Sequence, residues 1–264
     1  PEKLYRGKKS MKHIVPAVLL LFMLLSCKPN LSGDTAKYSY GFGYQIGTIL
    51  KNKADFDHKQ ILAGVKDAIE GKEAQGDKSR TIGHNIGKNY AEQGIPLDIR
   101  AFSLGVNEGY EGAEPSVKEA DMRQAMETII GQINQKNLKA GAEYLAKNRE
   151  KEGVIVTASG LQYRTLVKGA GRKPGATETV KVHYTGRLIS GKVFDSSYTR
   201  NQPAVLPLDK VIRGWSEGVQ LMNVGSKFEF TIPPDLGYGA QGAGTIPGNS
   251  VLIFDVELLE INRK

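Results

Sequence analysis

Apolar positions along the first half of the chain recur with a helical period, and near residue 154 they switch to alternation. Residues 39–71 and 79–112 read as two copies of one helical unit. Ser39, Gly43, Ile46 and Gly47 recur forty positions on as Ser79, Gly83, Ile86 and Gly87, and after a one-residue slip Gly64 and Gly71 recur as Gly105 and Gly112. The second stretch of each copy (Ile61, Leu62, Val65, Ile69; Phe102, Leu104, Val106, Tyr110) has the spacing of an amphipathic helix. A glycine costs about 1 kcal/mol in a helix interior relative to alanine, so a pair four apart in both copies points to close helix–helix approach. With six anchors, chance similarity is the alternative to duplication. Ser116, after Pro115, pairs with Glu119 as a capping box, and Met122, Met126, Ile129, Ile133, Leu138, Ala142 and Leu145 continue a helical stripe. The helix expected over 117–151 is about 50 Å long, either one more bundle helix or a rigid spacer between domains.

Beyond Val154, Leu161, Tyr163, Thr165 and Val167 alternate with Gln162, Arg164 and Lys168, and Val180, Val182 and Tyr184 alternate with Lys181 and His183. Phe228 and Phe230, expected in the core, and the apolar run Val251–Leu259 add further strands. Lys210–Met222, which holds the sole tryptophan, Trp215, is the only short helical candidate here. The expected fold is α+β: an all-α region over 37–152 with a long connecting helix, then an antiparallel half-barrel sheet wrapped on one short helix over 153–264.

At the start, Met11-Lys12-His13 precedes an apolar run from Ile14 to Leu25. As a helix it reaches about 18 Å, short of the ~30 Å hydrocarbon core, so residues 1–26 read as upstream residues followed by a secretory signal beginning at Met11. Leu24-Leu25-Ser26-Cys27 resembles the bacterial lipobox. That resemblance implies a lipidated Cys27 and a chain anchored in the bacterial cell envelope by several acyl chains, enough for stable attachment. Lys28 in place of an aspartate directs it, by the usual sorting pattern, to the outer membrane, on its periplasmic or surface face. The alternative is a stray cysteine in a cleaved peptide. Residues 27–36, largely KPNLSGDT, form a polar tether.

Composition narrows the chemistry. A chain 40% hydrophobic and 24% charged is an ordinary globular one, which excludes wholesale disorder. A single cysteine excludes a disulfide framework and multi-cysteine metal sites, and His13, His58, His84 and His183 lack metal-ligand spacing, so no metal and no cofactor are expected. The formal charge is +8, but residues 1–26 carry five basic side chains and one acidic. What remains is a mild surplus without basic clusters, and no nucleic-acid partner is expected.

The segments VHYTGRLISGKVFDSS (182–197), VIRGWSEGV (211–219), PDLGYG (234–239) and VLIFDVELL (251–259) resemble the FKBP-type peptidyl-prolyl isomerases, in that family's order and near its spacing. The whole layout is similar to the Mip-type members of Gram-negative bacteria. The duplicated helical unit departs from the single copy of that group. The resemblance implies a prolyl isomerase whose pocket has Trp215 as floor and Tyr184, Phe194, Val211, Ile212 and Phe254 as walls. It further implies the Ile212 N–H and the Tyr238 hydroxyl as donors to ligand carbonyls, and Asp195 as a polarising or orienting carboxylate that transfers no proton. Taken singly, Phe194, Trp215 and Phe254 read as core aromatics, and His183 as a structural histidine. Two departures touch the rim. Ala204 or Leu206 stands where an aromatic wall is usual, and the flap 239–247 has Ala243 and Ile246 near the place of a histidine.

Such a site needs no bond to break. Rotation about X–Pro crosses a barrier of about 18–20 kcal/mol because it destroys amide resonance, and a pocket that prefers the twisted amide lowers it. A millionfold acceleration is ~8 kcal/mol. The expected partners are proline-containing unfolded or loop segments of exported proteins, the macrolides tacrolimus and rapamycin, the membrane through Cys27, and a second copy of the chain in a homodimer. A chaperone whose isomerase activity is incidental is the alternative from another class, with a passive surface lipoprotein a third.

Overall fold

The structure is a computed structural model that describes residues 28–262; the expected signal and Cys27 lie outside the described residues. Four helices come first: α1 (Asp34–Lys51), α2 (His58–Ile69), α3 (Lys78–Gln93) and α4 (Ile99–Glu111). Asp57, Asp77 and Asp98 cap α2, α3 and α4 by accepting backbone N–H groups of the first turn.

The two copies of the repeat pair crosswise. Helix α1 packs on α4, and α2 packs on α3. A Cβ on Gly43 or Gly47 would run into the carbonyl oxygens of Phe102 and Val106, and one on Gly105 into that of Tyr40. The second pair repeats this: Gly83 and Gly87 abut the carbonyls of Ile61 and Val65, and Gly64 abuts that of Arg80. The capping ends match as well. Ser39 Oγ accepts the N–H of Asp98 at 2.9 Å, and Ser79 Oγ accepts that of Asp57 at 3.0 Å. Glycine allows these backbones to touch, and Val65, Phe102 and Val106 fill the centre with no exposure. The copies are thus related by an approximate two-fold inside one chain.

Helix α5 (Glu119–Asn148) is the long connection. It does not begin with a capping box: Lys118 is the N-cap and makes no side-chain cap. Ser116 is drawn elsewhere, its hydroxyl donating to Glu108 Oε1 at 2.8 Å while its N–H meets the Tyr40 hydroxyl. Glu119 and Asp121 in the first turn complement the helix dipole instead. Ala125 and Ile129 bury against Tyr38 of α1.

The remainder is one antiparallel sheet: β1 (Val154–Val156), β2 (Gln162–Val167), β3 (Thr179–Leu188), β4 (Val193–Ser196), β5 (Ala204–Pro207), β6 (Lys227–Ile232) and β7 (Leu252–Asn262). Their order is β1-β2-β6-β7-β3-β4, with β5 also on β3. Helix α6 (Arg213–Val219) lies on the concave face. Gly214 and Gly218 let it settle there, since a Cβ would stand 2.5 Å from Ile232 Cγ2 and 2.7 Å from Phe230 Cε1. Phe228 and Phe230 are buried in this core. Helix α6 is shorter than the expected 210–222 because Leu208–Lys210 forms a 3-10 turn and Val211 and Ile212 are extended.

Strand β2 departs from its expected alternation. Gln162 is buried, while Thr165 and Val167, on either side of a bulge, are exposed. The last turns of α5 explain the buried amide: Asn148 Nδ2 donates to Gln162 Oε1 at 2.9 Å, and Gln162 Nε2 donates to the Leu145 carbonyl at 3.0 Å. A buried polar group so satisfied costs little.

Candidate active site

Along β3, Val180, Val182 and Tyr184 point into the core and His183 points away. His183 Nδ1 meets Ser197 Oγ at 2.9 Å and its ring stacks on Tyr198, so it is a structural residue off the concave face. Register brings Gly186 opposite Phe254 of β7 and opposite Asp195 of β4. With no side chain at Gly186, the rings of Phe254 and Phe194 close over it; a Cβ would stand 2.6 and 2.7 Å from them. These two rings meet edge to face, with centroids 5.5 Å apart at 84°. Trp215, from the first turn of α6, meets Tyr184 at 5.3 Å and 86°. Edge-to-face contacts between rings are the favoured geometry and hold the cluster rigid.

These rings line a cavity of about 620 Å³, within the usual range for a small-molecule or peptide-residue site. Tyr184, Phe194, Asp195, Leu206, Val211, Ile212, Trp215, Tyr238, Ala243, Ile246 and Phe254 all border it, joined by Lys210, Gly244 and Thr245. Trp215 is 3% exposed and Phe254 4%, whereas Tyr238 is 39% exposed at the mouth. Floor and mouth therefore differ in exposure: the rings below are buried, and the Tyr238 phenol above meets solvent.

Two donors of residues bordering the cavity have no protein acceptor among the described residues. One is the backbone N–H of Ile212, where the chain turns from extended into α6. The other is the hydroxyl of Tyr238, which burial and the nearby Asp195 charge hold above the ordinary phenol range, so it stays protonated. Asp195, by contrast, is engaged on both oxygens, by the Tyr184 hydroxyl and by an Arg200 guanidinium nitrogen. The second Arg200 nitrogen reaches the Tyr184 hydroxyl at 3.1 Å, and the guanidinium lies over the Tyr184 ring. Burial raises the Asp195 pKa, but the bonds from Tyr184 and Arg200 outweigh it and hold the carboxyl below its usual value.

Gly186 and Arg200 are the residues the sequence reading missed. Gly186 sat in plain view in a strand, where an isolated glycine signals close approach. Arg200 lies in a turn, where periodicity says nothing about direction.

Six α-helices and seven strands among the described residues, with the half-barrel closed on an aromatic cup, define an α+β protein with an apolar pocket of the size that takes a peptide residue. Comparison with known proteins narrows this class. The model of the FKBP-type peptidyl-prolyl cis-trans isomerase family matches residues 170–259. That of the domain amino-terminal to FKBP-type isomerases matches twice, at 35–81 and 75–165. The chain is 45% identical over 212 residues to an FKBP-type peptidyl-prolyl cis-trans isomerase, FkpA, of Aeromonas hydrophila, covering 74% of this chain and 79% of that one. It is 36% identical to the outer membrane protein MIP of Legionella longbeachae, over 70% and 84% of the two chains. The crystal structure of FkpA from Escherichia coli superposes with a TM-score of 0.52 at 32% identity, covering 72% of this chain and 99% of that one. The chain belongs to the FKBP-type peptidyl-prolyl cis-trans isomerase family. The double match of the amino-terminal model falls on the two copies of the repeat.

Proposed function

We propose that the cup isomerises X–Pro bonds in unfolded or loop segments of exported proteins, by favouring the half-rotated amide without any covalent step. The observation that carries this reading is the pairing of a dry aromatic floor at Trp215 with two unengaged donors, Ile212 N–H and Tyr238 Oη, at the rim. A twisted amide has lost resonance, so its carbonyl is less polar and tolerates the apolar floor better than the planar form. Donors aimed at the rotated carbonyl add a preference that is already organised before substrate arrives. Asp195 holds the Tyr184 ring through its hydroxyl and so acts as an orienting group; with both oxygens occupied it is poorly set to move a proton. Tacrolimus and rapamycin would compete for the same cup.

The experiment is a proline-isomerisation assay on a short peptide and on a proline-limited refolding protein. Trp215→Ala and Tyr238→Phe should each lower kcat/KM at least tenfold, as loss of floor packing or of a transition-state donor does; unchanged rates would remove the site assignment. An intact rate with lost aggregation suppression in a helical-region variant would favour the chaperone reading as an added role.

We assign residues 37–152 to a helical region and 153–264 to the isomerase domain, preceded by a lipid anchor at Cys27 in the bacterial envelope. The lipobox-like LLSC and the relative named as an outer membrane protein support this placement. Among the described residues no helix is long and apolar enough to cross a membrane. Labelled fatty acid should enter the chain and be lost on Cys27→Ala.

On assembly, the crossed pairing of α1 with α4 and α2 with α3 supports, beside the expected homodimer, a second reading in which one chain satisfies its own helical interface. Light scattering of the chain from residue 28 onwards tests it; a mass near two chains favours the dimer.

A further inference from the structure

About two turns of α5 present a polar stripe where a packed helix would normally be apolar. Asn134, Asn137 and Gly141 fall at i, i+3 and i+7, on one face. That face is docked on the loop that closes the cup. Asn134 Nδ2 donates to the Ala240 carbonyl at 3.1 Å, and Asn137 Nδ2 donates to the Gly248 carbonyl at 3.0 Å. Asn249 returns a bond, its Nδ2 donating to the Asn134 carbonyl at 3.3 Å. Below them Gly141 leaves room for Val251, whose Cγ2 would stand 2.9 Å from a Cβ there.

The loop so gripped runs from Gly239 to Ser250 and carries four glycines, three of them at positive φ. Such a segment loses much backbone freedom on ordering. Its own restraints are a bridge between Ala243 and Ile246, the bonds Gly242 N–H to Tyr238, Asn249 N–H to Gly239 and Ser250 Oγ to Pro247, and the burial of Ile246 against the core; none of them ties the stem at Ala240. Ala240 and Gly248 are the two stems of the flap, and its tip, Ala243 to Ile246, lines the cup beside Tyr238. The helix therefore holds both stems while leaving the tip over the pocket.

We propose that Asn134 and Asn137 are positioning residues for the substrate flap: the connecting helix fixes the flap stems so that Tyr238, Ala243 and Ile246 stand over the cup before substrate binds. This rests on the prolyl isomerase reading of that cup. Without the two amides, the flap samples other conformations and substrate must order it on binding, which raises the apparent Kd by the reciprocal of the competent fraction. The barrier within the bound complex is untouched, because neither amide reaches the cavity.

The test uses the full chain with Asn134→Asp and Asn137→Asp together, which keep shape and remove the donors, beside Asn137→Ala alone in case the double change impairs folding. Amide hydrogen exchange over residues 239–249 should quicken while β3 and β7 stay protected. KM for a proline peptide should rise about three- to tenfold, the size of one or two neutral hydrogen bonds, with kcat within about twofold. Unchanged flap exchange and KM would overturn the proposal, as would faster exchange spread evenly through the sheet. A parent chain with no isomerase activity would fail the underlying reading, and the exchange data would still judge the helix–flap link.

Discussion

The Tyr184 hydroxyl donates to the Asp195 carboxylate between β3 and β4, and Arg200 closes the triangle from solvent. This has a consequence for acidity. Asp195 titrates below its usual value in the fold, so its favourable contacts are complete above the unfolded pKa, about 4, and vanish as pH falls through the lower folded value. Tyr184, raised by burial and by Asp195, stays protonated well into the alkaline range. Isomerase rate should therefore be flat from about pH 5 to 8, and Asp195→Asn should lower kcat/KM without adding a slope. A profile following a group that titrates near neutrality would contradict the orienting role. The side chains of Asp195 and Arg200 are 40% and 50% exposed, so screening keeps the stability effect small.

Trp215 is the only tryptophan and 3% exposed, so the chain's intrinsic emission reports on the floor of the cup. Emission should lie to the blue of free tryptophan, and tacrolimus should change it in a saturable way. Trp215→Ala should cost about 3–5 kcal/mol of stability in urea unfolding, typical of a large aromatic removed from a core. Trp215→Phe, smaller in its loss, separates the effect on rate from the effect on folding. No change in emission on adding ligand would place binding elsewhere.

Glycines in the helical region should respond to alanine with opposite signs. At Gly43 or Gly105 the new methyl would meet a backbone carbonyl of the partner helix, and backbone cannot yield cheaply. A loss of about 2 kcal/mol or more is expected in denaturant unfolding. At Gly131, exposed on α5 with nothing within 4 Å, alanine should add about 0.5–1 kcal/mol. Equal effects at the two kinds of site would undo the crossed packing.

What could be read in advance follows from the range of each force. The glycine pairs and the alternation of Val180, Val182 and Tyr184 are local patterns with one geometric meaning, and so the helices and β3 were legible. The pocket aromatics, which read singly as core, became legible only through the resemblance to the FKBP-type isomerases. Ser116 misled because Glu108, eight residues earlier, competes for its hydroxyl. Gln162 looked outward until Asn148 arrived from another element to satisfy it. Periodicity names a face and not its partner, which is why the crossing of the two copies, and the grip of Asn134 and Asn137 on the flap, needed coordinates.

The crossed helical unit also changes what dilution does to the molecule. Its halves are joined by the short loop 70–77 and meet at an effective concentration on the order of millimolar, set by the tether and not by how many molecules are present. A protein scattered sparsely would keep this unit assembled at any abundance.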